Sequence, residues 1–363
     1  MKKLFLCIFL CAIWVPRFGF SERDSPGGFV SAEALFWIAN ESGLGFTNEP
    51  ANVLSTDNFT SNPVFDPSFE WEWGFRLGGG YIQDQRHWGY EVFWTNLKAK
   101  AHGQKSFNSG APDFEGSFPI WSIGPDTLVG DYVSSSSSSW HLTMNLVDLN
   151  AQYRFCLGKC GRSPCEAVSP LKRKQLFANR KKKGCIEEAK PPDYEPWFDR
   201  VDLIPFIGIR MVILDQSLSA RYEGGTFFSG VDLNSLECDY WGGGPRLGLI
   251  ANYFMAYGTS LFGRAALAPL YGRFDLKDRE TYLDAVRFDR SNVLHHWLLS
   301  VDFAAGVSWK GAVIDDWMFV ILGAAYEGQA FIRGNRFFRG PFFFHKIRNL
   351  LLQGLTMSAA LEF

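Results

Sequence analysis

The residues of this sequence whose type and spacing could do chemistry are charged residues that stand at alternate positions of largely apolar segments. They are Glu33, Glu70, Glu72, Arg76, Glu91, Asp148, Arg154, Arg210, Arg246, Arg264, Asp302 and Glu327. A charge that faces the inside of a protein is tolerated only when it is paired or in contact with water. Facing rows of acids and bases therefore either line an aqueous pore and set its ion preference, or cross-link into a plug.

A second concentration of reactive side chains lies in residues 156–200. This segment contains Cys156, Cys160, Cys165 and Cys185 together with the basic runs Lys172–Lys174 and Arg180–Lys183. Cysteines of an exported chain favour disulfides, and four of them allow three internal pairings. Zinc is the rival interpretation, but the segment has no paired C-x2-C spacing and no histidine. The basic runs fit a solvated loop or, as a weaker hypothesis, contact with anionic cell-wall material.

A hydrolytic site is the third chemical possibility. The candidates are His141, His295 and His296, with Asp284 and Asp289 nearby in the sequence. Histidines at the rim of a fold are more often solvated than catalytic, and no G-x-S-x-G nucleophile motif is present. We therefore expect no catalytic residues, no cofactor and no metal.

The elements that must position the charged residues are strands, and the clearest signal is the C-terminal stretch. From Leu355 to Phe363 every second residue is apolar, while the residues between them are small or polar. A repeat of two with two different faces indicates a strand between two different solvents. Lipid on one side and a wet lumen on the other is the pattern of a transmembrane β-barrel, and a terminal aromatic residue resembles an outer-membrane assembly signal.

Similar alternation recurs along the chain and predicts an all-β fold, a transmembrane antiparallel β-barrel of about ten strands. The predicted strands are Gly28–Ile38, Phe69–Tyr81, Trp88–Trp94, Trp140–Phe155, Leu203–Leu214, Tyr240–Tyr253, Ser260–Phe274, His296–Trp309, Asp316–Phe331 and Asn349–Phe363. In strand four the apolar parity changes, which predicts a bulge near Val147. An even count places both termini in the periplasm, so residues 156–200 become a long periplasmic insert between strands four and five. Cys238 then lies at the outer end of strand six, where we expect it to be unpaired.

Export is indicated by the N-terminus. A short basic region at Lys2 and Lys3 precedes the apolar run Leu4–Val15, and small residues before Glu22 predict cleavage after Ser21. Removing Lys2, Lys3 and Arg17 from the 36 basic residues leaves 33 against 38 acidic ones, which argues against a nucleic-acid partner. We therefore expect a signal peptide over residues 1–21 and an outer-membrane barrel over residues 22–363.

Five segments in order resemble the Legionella major outer membrane protein family, which includes proteins of chlamydia-related bacteria. They are Ala32–Trp37, Pro205–Arg210, Trp241–Gly248, Leu270–Phe274 and Ala325–Gln329. The resemblance implies an outer-membrane barrel with a porin role, with no catalytic residues to carry over. The Cys/Lys-rich insert departs from the family pattern, although cysteines there fit envelopes in which outer-membrane proteins are cross-linked by disulfides.

The sequence thus favours a porin-like channel for passive diffusion of ions and small hydrophilic solutes, with a second role as a disulfide-linked envelope component. The alternatives are an adhesin or structural scaffold with a closed barrel and, less favoured, a hydrolase with a site at the rim. Expected partners are outer-membrane lipid, the diffusing solutes, disulfide-linked or cell-wall material in the periplasm, and further copies of the chain. Ten strands enclose a narrow interior, so any pore is small.

Overall fold

A computed structural model of the chain describes residues 27–48, 51–52, 64–83, 88–107, 115–122, 132–157, 201–227, 230–255, 258–314, 318–337 and 348–363. The expected signal peptide lies outside these residues, as do most of the expected insert and its candidates Cys160, Cys165 and Cys185. Cys156 falls in a short strand, Phe155–Leu157, that pairs with residues 201–203. Among the described residues no helix is both long and apolar enough to span a bilayer.

Ten long antiparallel strands among the described residues close into a barrel, which confirms the predicted fold class. They are β1 Gly27–Glu41, β2 Trp71–Gln83, β3 Trp88–Ser106, β4 Ser135–Tyr153, β5 Val201–Glu223, β6 Val231–Phe254, β7 Thr259–Tyr282, β8 Ala285–Ile314, β9 Met318–Asn335 and β10 Arg348–Glu362. Each strand pairs with the next along the chain, and β10 pairs with β1 from Phe29↔Glu362 to Glu41↔Leu350. Closure satisfies every edge, as a barrel in lipid requires.

The end of the barrel that carries both termini is here called the terminal end, and the opposite end is called distal. At the terminal end the N–H groups of Gly28 and Phe363 each donate to the other residue's carbonyl at 2.9 Å. Toward this end the barrel exterior is apolar. On β5, for example, Ile207, Ile209 and Ile213 point outward and are about half exposed, as side chains facing lipid would be.

Beyond this apolar band the two faces of the wall exchange character. On β5 the outward residues after Ile213 are Asp215, Ser217 and Ser219, while the buried inward residues are Leu214 and Leu218. The neighbouring strands show the same exchange, so the barrel divides into a terminal half with an apolar exterior and a distal half with a polar exterior. The distal half is therefore built like a soluble barrel, apolar inside and hydrophilic outside.

The exchange takes place without any break in hydrogen bonding. Strand β4 pairs in unbroken register with β3 and β5, from Ser135 to the end of each ladder. The expected bulge near Val147 is therefore wrong. Leu142 and Met144 face inward and are buried in the distal half, whereas Leu149 faces outward in the terminal half. The apolar parity changes because the solvent outside the wall changes.

For the same reason several strands are longer at the distal end than predicted. Strand β5 continues to Glu223, β6 begins at Val231, β7 continues to Tyr282 and β8 begins at Ala285. The serine run at the start of β4, which lies before the predicted strand Trp140–Phe155, is paired strand from Ser135 onward. The residues beyond the predicted strand ends therefore belong to the barrel wall. They were predicted as loop because their apolar side chains point inward rather than outward.

The hydrophobic core fills the distal interior. It contains Leu97, Ala99, Trp140, Met144, Leu214, Leu218, Leu236, Tyr240, Leu270 and Phe274. Two segments outside the long strands cap it, residues 42–48 with Phe46 and residues 115–122 with Trp121. The Tyr222 hydroxyl joins them, because it donates to the Phe46 carbonyl at 2.7 Å and accepts from the Trp121 N–H at 3.2 Å. The distal lumen is thus packed solid.

Three outward aspartates mark the boundary between the halves. Asp215 on β5 lies opposite Asp239 on β6, which in turn lies opposite Asp275 on β7. Two residues further toward the termini, Ile213 lies opposite the exposed Trp241 in the row of the lipid-facing band. Aromatic residues at such a boundary are typical of the interfacial girdle of a membrane barrel.

Candidate functional site

In the interior of the terminal half, nine of the ten strands each contribute one ionisable side chain to a single cluster. In strand order these residues are Glu33, Arg76, Glu91, Asp148, Arg210, Arg246, Arg264, Asp302 and Glu327. Each stands at a position whose two neighbours along the strand face the opposite side of the wall, since side chains alternate along a strand. This group is called the charged cluster below.

The first part of the charged cluster is centred on Arg76 of β2. Its guanidinium donates to Glu33 on β1 at 2.6 Å and to Glu327 on β9 at 3.0 and 3.3 Å. Its Nε donates to the Thr95 hydroxyl at 3.0 Å. Arg264 on β7 reaches the same Glu327 at 3.2 Å. Arg76 and Arg264 therefore share the Glu327 carboxylate, and either arginine alone could pair with it.

The second part is centred on Arg210 of β5. Its Nε and Nη2 donate to the two oxygens of Asp148 at 2.7 and 2.8 Å, in the bidentate geometry that favours arginine. Its Nη1 donates to Asp302 at 2.6 Å and to Ser300 at 2.7 Å. Arg246 binds the other oxygen of Asp302 at 2.8 Å. These four charges are all buried and join strands on opposite sides of the lumen.

Not every donor in the charged cluster is occupied. Among the described residues, Nε of Arg246 and Nε of Arg264 have no hydrogen-bond partner. Glu91 accepts a hydrogen bond from the Asn150 amide at 2.9 Å. The side chains surround a cavity with a volume of about 20 Å³, enough for about one water molecule. At the level of the charged cluster, the described residues therefore leave little room for a solute.

Three of the twelve charged residues singled out in the sequence lie outside the charged cluster. Glu70 and Glu72 pair with Lys100, at 3.3 and 3.7 Å, where β2 and β3 separate toward the distal end. Arg154 lies at the terminal end, 3.9 Å from Asp202. These three residues therefore do not join the charged cluster. Glu70 and Glu72 lie on its distal side, where Glu72 keeps the inward parity of Arg76, and Arg154 lies at the terminal end.

Sequence reasoning missed the neutral residues that complete the charged cluster. Thr95, Asn150 and Ser300 each bind one of its charged groups, and Gln329 lines the same void. All four stand at inward positions, so the repeat of two could have found them. They were missed because they carry no formal charge.

An apolar layer lies directly distal to the charged cluster. Trp37 is buried there, donates its indole N–H to the Thr356 hydroxyl at 3.1 Å, and lies 5.8 Å from the Arg76 guanidinium carbon. Leu352 on β10, Phe331 on β9 and Leu298 on β8 are also buried. A solute entering from the distal end would therefore meet an apolar layer before it reached the charges.

The candidate residues for a hydrolytic site are scattered over the distal half. His141 lies on the outward side of β4, with its ring 5.9 Å from that of His102. His295 and His296 are on β8, and three strands separate β8 from β4. Asp284 lies in the tight β7–β8 turn, where its φ is 62°. The structure does not bring these residues to one place.

A closed antiparallel barrel with a lipid-facing exterior and a charged lumen defines the chain as an outer-membrane β-barrel protein. The family model described as "Legionella pneumophila major outer membrane protein precursor" matches residues 198–362. This match confirms the resemblance for four of the five segments, whereas Ala32–Trp37 lies outside the matched residues. No curated protein matches the chain significantly.

Solved structures similar to the chain include the outer membrane protease OmpT from Escherichia coli, at 9% identity and a TM-score of 0.35, covering 93% of this chain and 96% of that chain. A FadL homologue of Pseudomonas aeruginosa has 6% identity, a TM-score of 0.24 and coverages of 94% and 90%. The toluene transporter TodX of P. putida has 8% identity, a TM-score of 0.23 and coverages of 94% and 90%.

Proposed function

We propose that the protein is a porin-like channel of narrow bore for ions and small hydrophilic solutes, and that the conformation described is its closed state. The observation that carries the proposal is the charged cluster, to which nine strands contribute one ionisable group each. A solute that passes along the lumen must pass between these groups. Rings of charge at a constriction are the usual means by which a pore sets its ion preference.

The distal half of the same barrel supports this interpretation. Its core is apolar, although single charged side chains such as Asp278 and Arg336 are also buried there. Replacing buried ion pairs with apolar residues of similar volume is often neutral or stabilising. A network of nine charges that joins strands across the lumen is therefore more than filling requires, which points to a role in passage. Arg264 is the residue of the charged cluster that we expect to move when the channel opens, because its side chain is 22% exposed and it shares Glu327 with Arg76.

The experiment is conductance of the refolded protein in a planar bilayer with a salt gradient. Replacing Arg210, Arg246 and Arg264 together with Gln removes three positive charges from the lumen. We expect the reversal potential to shift toward cation preference. The single variant Arg264→Gln should give a smaller shift in the same direction with less cost to folding. Arg221→Gln, on the exterior of β5 beyond the apolar band, removes the same charge outside the lumen and should leave the reversal potential unchanged.

A closed structural barrel is the second candidate, and the packed distal core favours it. In that case a folded protein would pass no current in any of these variants. Neither candidate assigns a catalytic role to the chain, in keeping with the scattered positions of His141, His295 and His296.

The insert adds a proposal of its own, namely that Cys156, Cys160, Cys165 and Cys185 form disulfides on the periplasmic side, within the chain or to envelope partners. Mapping of native envelopes under non-reducing conditions would test this pairing. The buried thiol of Cys238 lies in the distal half, so a bridge between it and any of the four would contradict the topology.

A further inference from the structure

The chain leaves the wall at the distal end of β9 and enters the lumen. Strand β9 pairs regularly with β10 up to Phe331↔Leu350, and pairing resumes only at Asn335↔Arg348. Arg333, between them, has a φ of 69°, a left-handed conformation that costs energy for a residue with a side chain. Residues 334–337 are buried. Residues 333–337 are called the strap below.

The strap reaches across the lumen toward the opposite wall. The Gln216 amide on β5 donates to the Gly334 carbonyl at 3.3 Å. The guanidinium carbon of Arg336 lies 4.9 Å from the ring centre of Phe274 on β7. Since β5 and β9 are separated by three strands on one side and five on the other, the strap spans most of the interior. It leaves the wall six residues beyond Glu327 on the same strand, so it lies between the charged cluster and the distal mouth.

The hydrogen bonds that hold the strap to the rest of the barrel are long. Besides the 3.3 Å bond from Gln216, the Arg333 N–H donates to the Asn349 amide oxygen at 3.1 Å and the Asn335 amide donates to the Ser42 carbonyl at 3.4 Å. Aromatic contacts of Arg336 with Phe274 and of Phe337 with Trp121 add to them. The capping segments contain shorter bonds, since the Thr47 and Ser117 hydroxyls are 2.5 Å apart and Tyr222 donates to Phe46 at 2.7 Å.

Arg336 gives the strap a reason to move. It is 6% exposed, yet among the described residues neither its Nε nor its Nη2 finds an acceptor. A buried guanidinium with two nitrogens that lack an acceptor loses more hydration than its remaining contacts return. Moving outward would hydrate the guanidinium and release the left-handed backbone at Arg333, against the loss of apolar contacts at Phe337. The two arrangements are therefore closer in free energy than those of an ordinary core segment.

We propose that the strap is the moving gate of the barrel, which withdraws from the lumen between the charged cluster and the distal mouth. The inference rests on the proposed channel function for its purpose, but the movement can be measured independently of conductance.

Cys238 on β6 is a natural reporter of this movement. Its thiol is fully buried and hydrogen-bonded to the main chain of Arg336, and burial raises the pKa of the thiol to about 12. With the strap in place the thiol is therefore shielded from reagents and protonated at neutral pH. Withdrawal of the strap removes both forms of protection. The measurement is the rate at which a polar alkylating reagent modifies Cys238 in the full-length protein in lipid vesicles, read by mass spectrometry of the Cys238 peptide.

The variants Phe337→Ala and Gln216→Ala each remove one contact of the strap. We expect each to accelerate modification of Cys238, by about tenfold or more for Phe337→Ala and several-fold for Gln216→Ala. The matched control is Phe227→Ala, which removes another buried aromatic side chain from the distal core. Phe227 packs against Tyr282, and among the described residues it has no aromatic contact or hydrogen bond with the strap. Its Cys238 rate should equal that of the parent protein.

Equal rates in all four proteins would overturn the inference, as would acceleration by Phe227→Ala equal to that by Phe337→Ala. The milder Gln216→Ala keeps the test informative if Phe337→Ala does not fold. Conductance recorded on the same proteins separates the two proposals. Acceleration without current in any variant leaves a moving strap in a barrel that is not a channel, whereas current with unaltered Cys238 rates leaves a channel whose gate lies elsewhere.

Discussion

The two halves of the barrel solve the same packing problem with opposite chemistry. In the terminal half the exterior is apolar and the lumen holds the charged cluster, while in the distal half the exterior is polar and the lumen is largely apolar. The same strands run through both halves without a change in register, so backbone geometry does not cause the difference. What changes is the solvent outside the wall. The alternation of side chains along a strand shows which residues share a face of the wall. The medium outside the wall decides which of the two faces is apolar.

The largest expected effect tests the interior of the terminal half. Replacing Arg210 with Leu leaves Asp148 without its bidentate partner and takes one of two arginines from Asp302. Breaking a buried ion pair from one side costs about 3–5 kcal/mol, because the remaining charge stays buried. Unfolding by urea in detergent measures this loss. Arg221→Leu, on the same strand but exposed at the distal end, should change stability by less than about 1 kcal/mol. Similar losses in both would contradict a charge-dependent interior.

The next effect tests the exterior. Ile209 and Ser219 both point outward from β5, one in each half, and both are exposed. Ile209→Arg places a charge against lipid and should destabilise the barrel by about 2–4 kcal/mol. Ser219→Arg places the same charge in water and should cost little. The measurement is unfolding in lipid vesicles. Equal tolerance of both arginines would show that the apolar band is not a lipid-facing surface.

A third effect, in the distal half, depends on pH. Asp278 faces inward on β7, beyond the apolar band, and burial raises its pKa from 3.8 to about 7 despite the opposing charge of Arg290. Because the folded state holds this proton more tightly than the unfolded state, stability should fall as pH rises from about 4 to about 7. Asp278→Asn should therefore stabilise the protein by about 1–3 kcal/mol at pH 8 and hardly at all at pH 4. Thermal unfolding at the two pH values checks this, and an equal gain at both would contradict it.

The smallest effect separates the middle of the terminal half from its end. Lys310 and Glu362 form an ion pair of 2.8 Å at the terminal end, where their side chains are 39% and 23% exposed. A partly hydrated pair contributes about 0–1 kcal/mol. Lys310→Ala should therefore change the free energy of unfolding by less than about 1 kcal/mol. A loss as large as that from Arg210→Leu would mean that position in the lumen does not govern the strength of these pairs.

The terminal half could be predicted from the sequence, and the distal half could not. Ile207, Ile209 and Met211 alternate with Gly208 and Arg210, which is the pattern that a lipid-facing strand requires. In the distal half the order is reversed, so Leu214 and Leu218 between Asp215, Ser217 and Ser219 resemble a loop that follows a strand. In β4 the same reversal resembled a bulge.

The charged cluster was largely predictable, but its pairing was not. All nine of its members stand at inward positions of strands that the alternation of apolar and polar residues identified. Which acid meets which base depends on contacts across the lumen, such as Arg76 with Glu327 on β9, and these follow from barrel closure rather than from local sequence. The strap was missed because residues 334–337 carry no repeat, and only tertiary contacts place them inside.

The row of Asp215, Asp239 and Asp275 has a consequence for how deeply the barrel sits in the bilayer. If the molecule sank by two residues, about 7 Å along the strands, all three carboxylates would enter hydrocarbon together. If it rose by the same distance, the apolar side chains of Ile213 and Trp241 would be exposed to water. The aspartate row and the apolar band next to it therefore resist displacement in both directions, so together they fix the depth of the barrel in the bilayer.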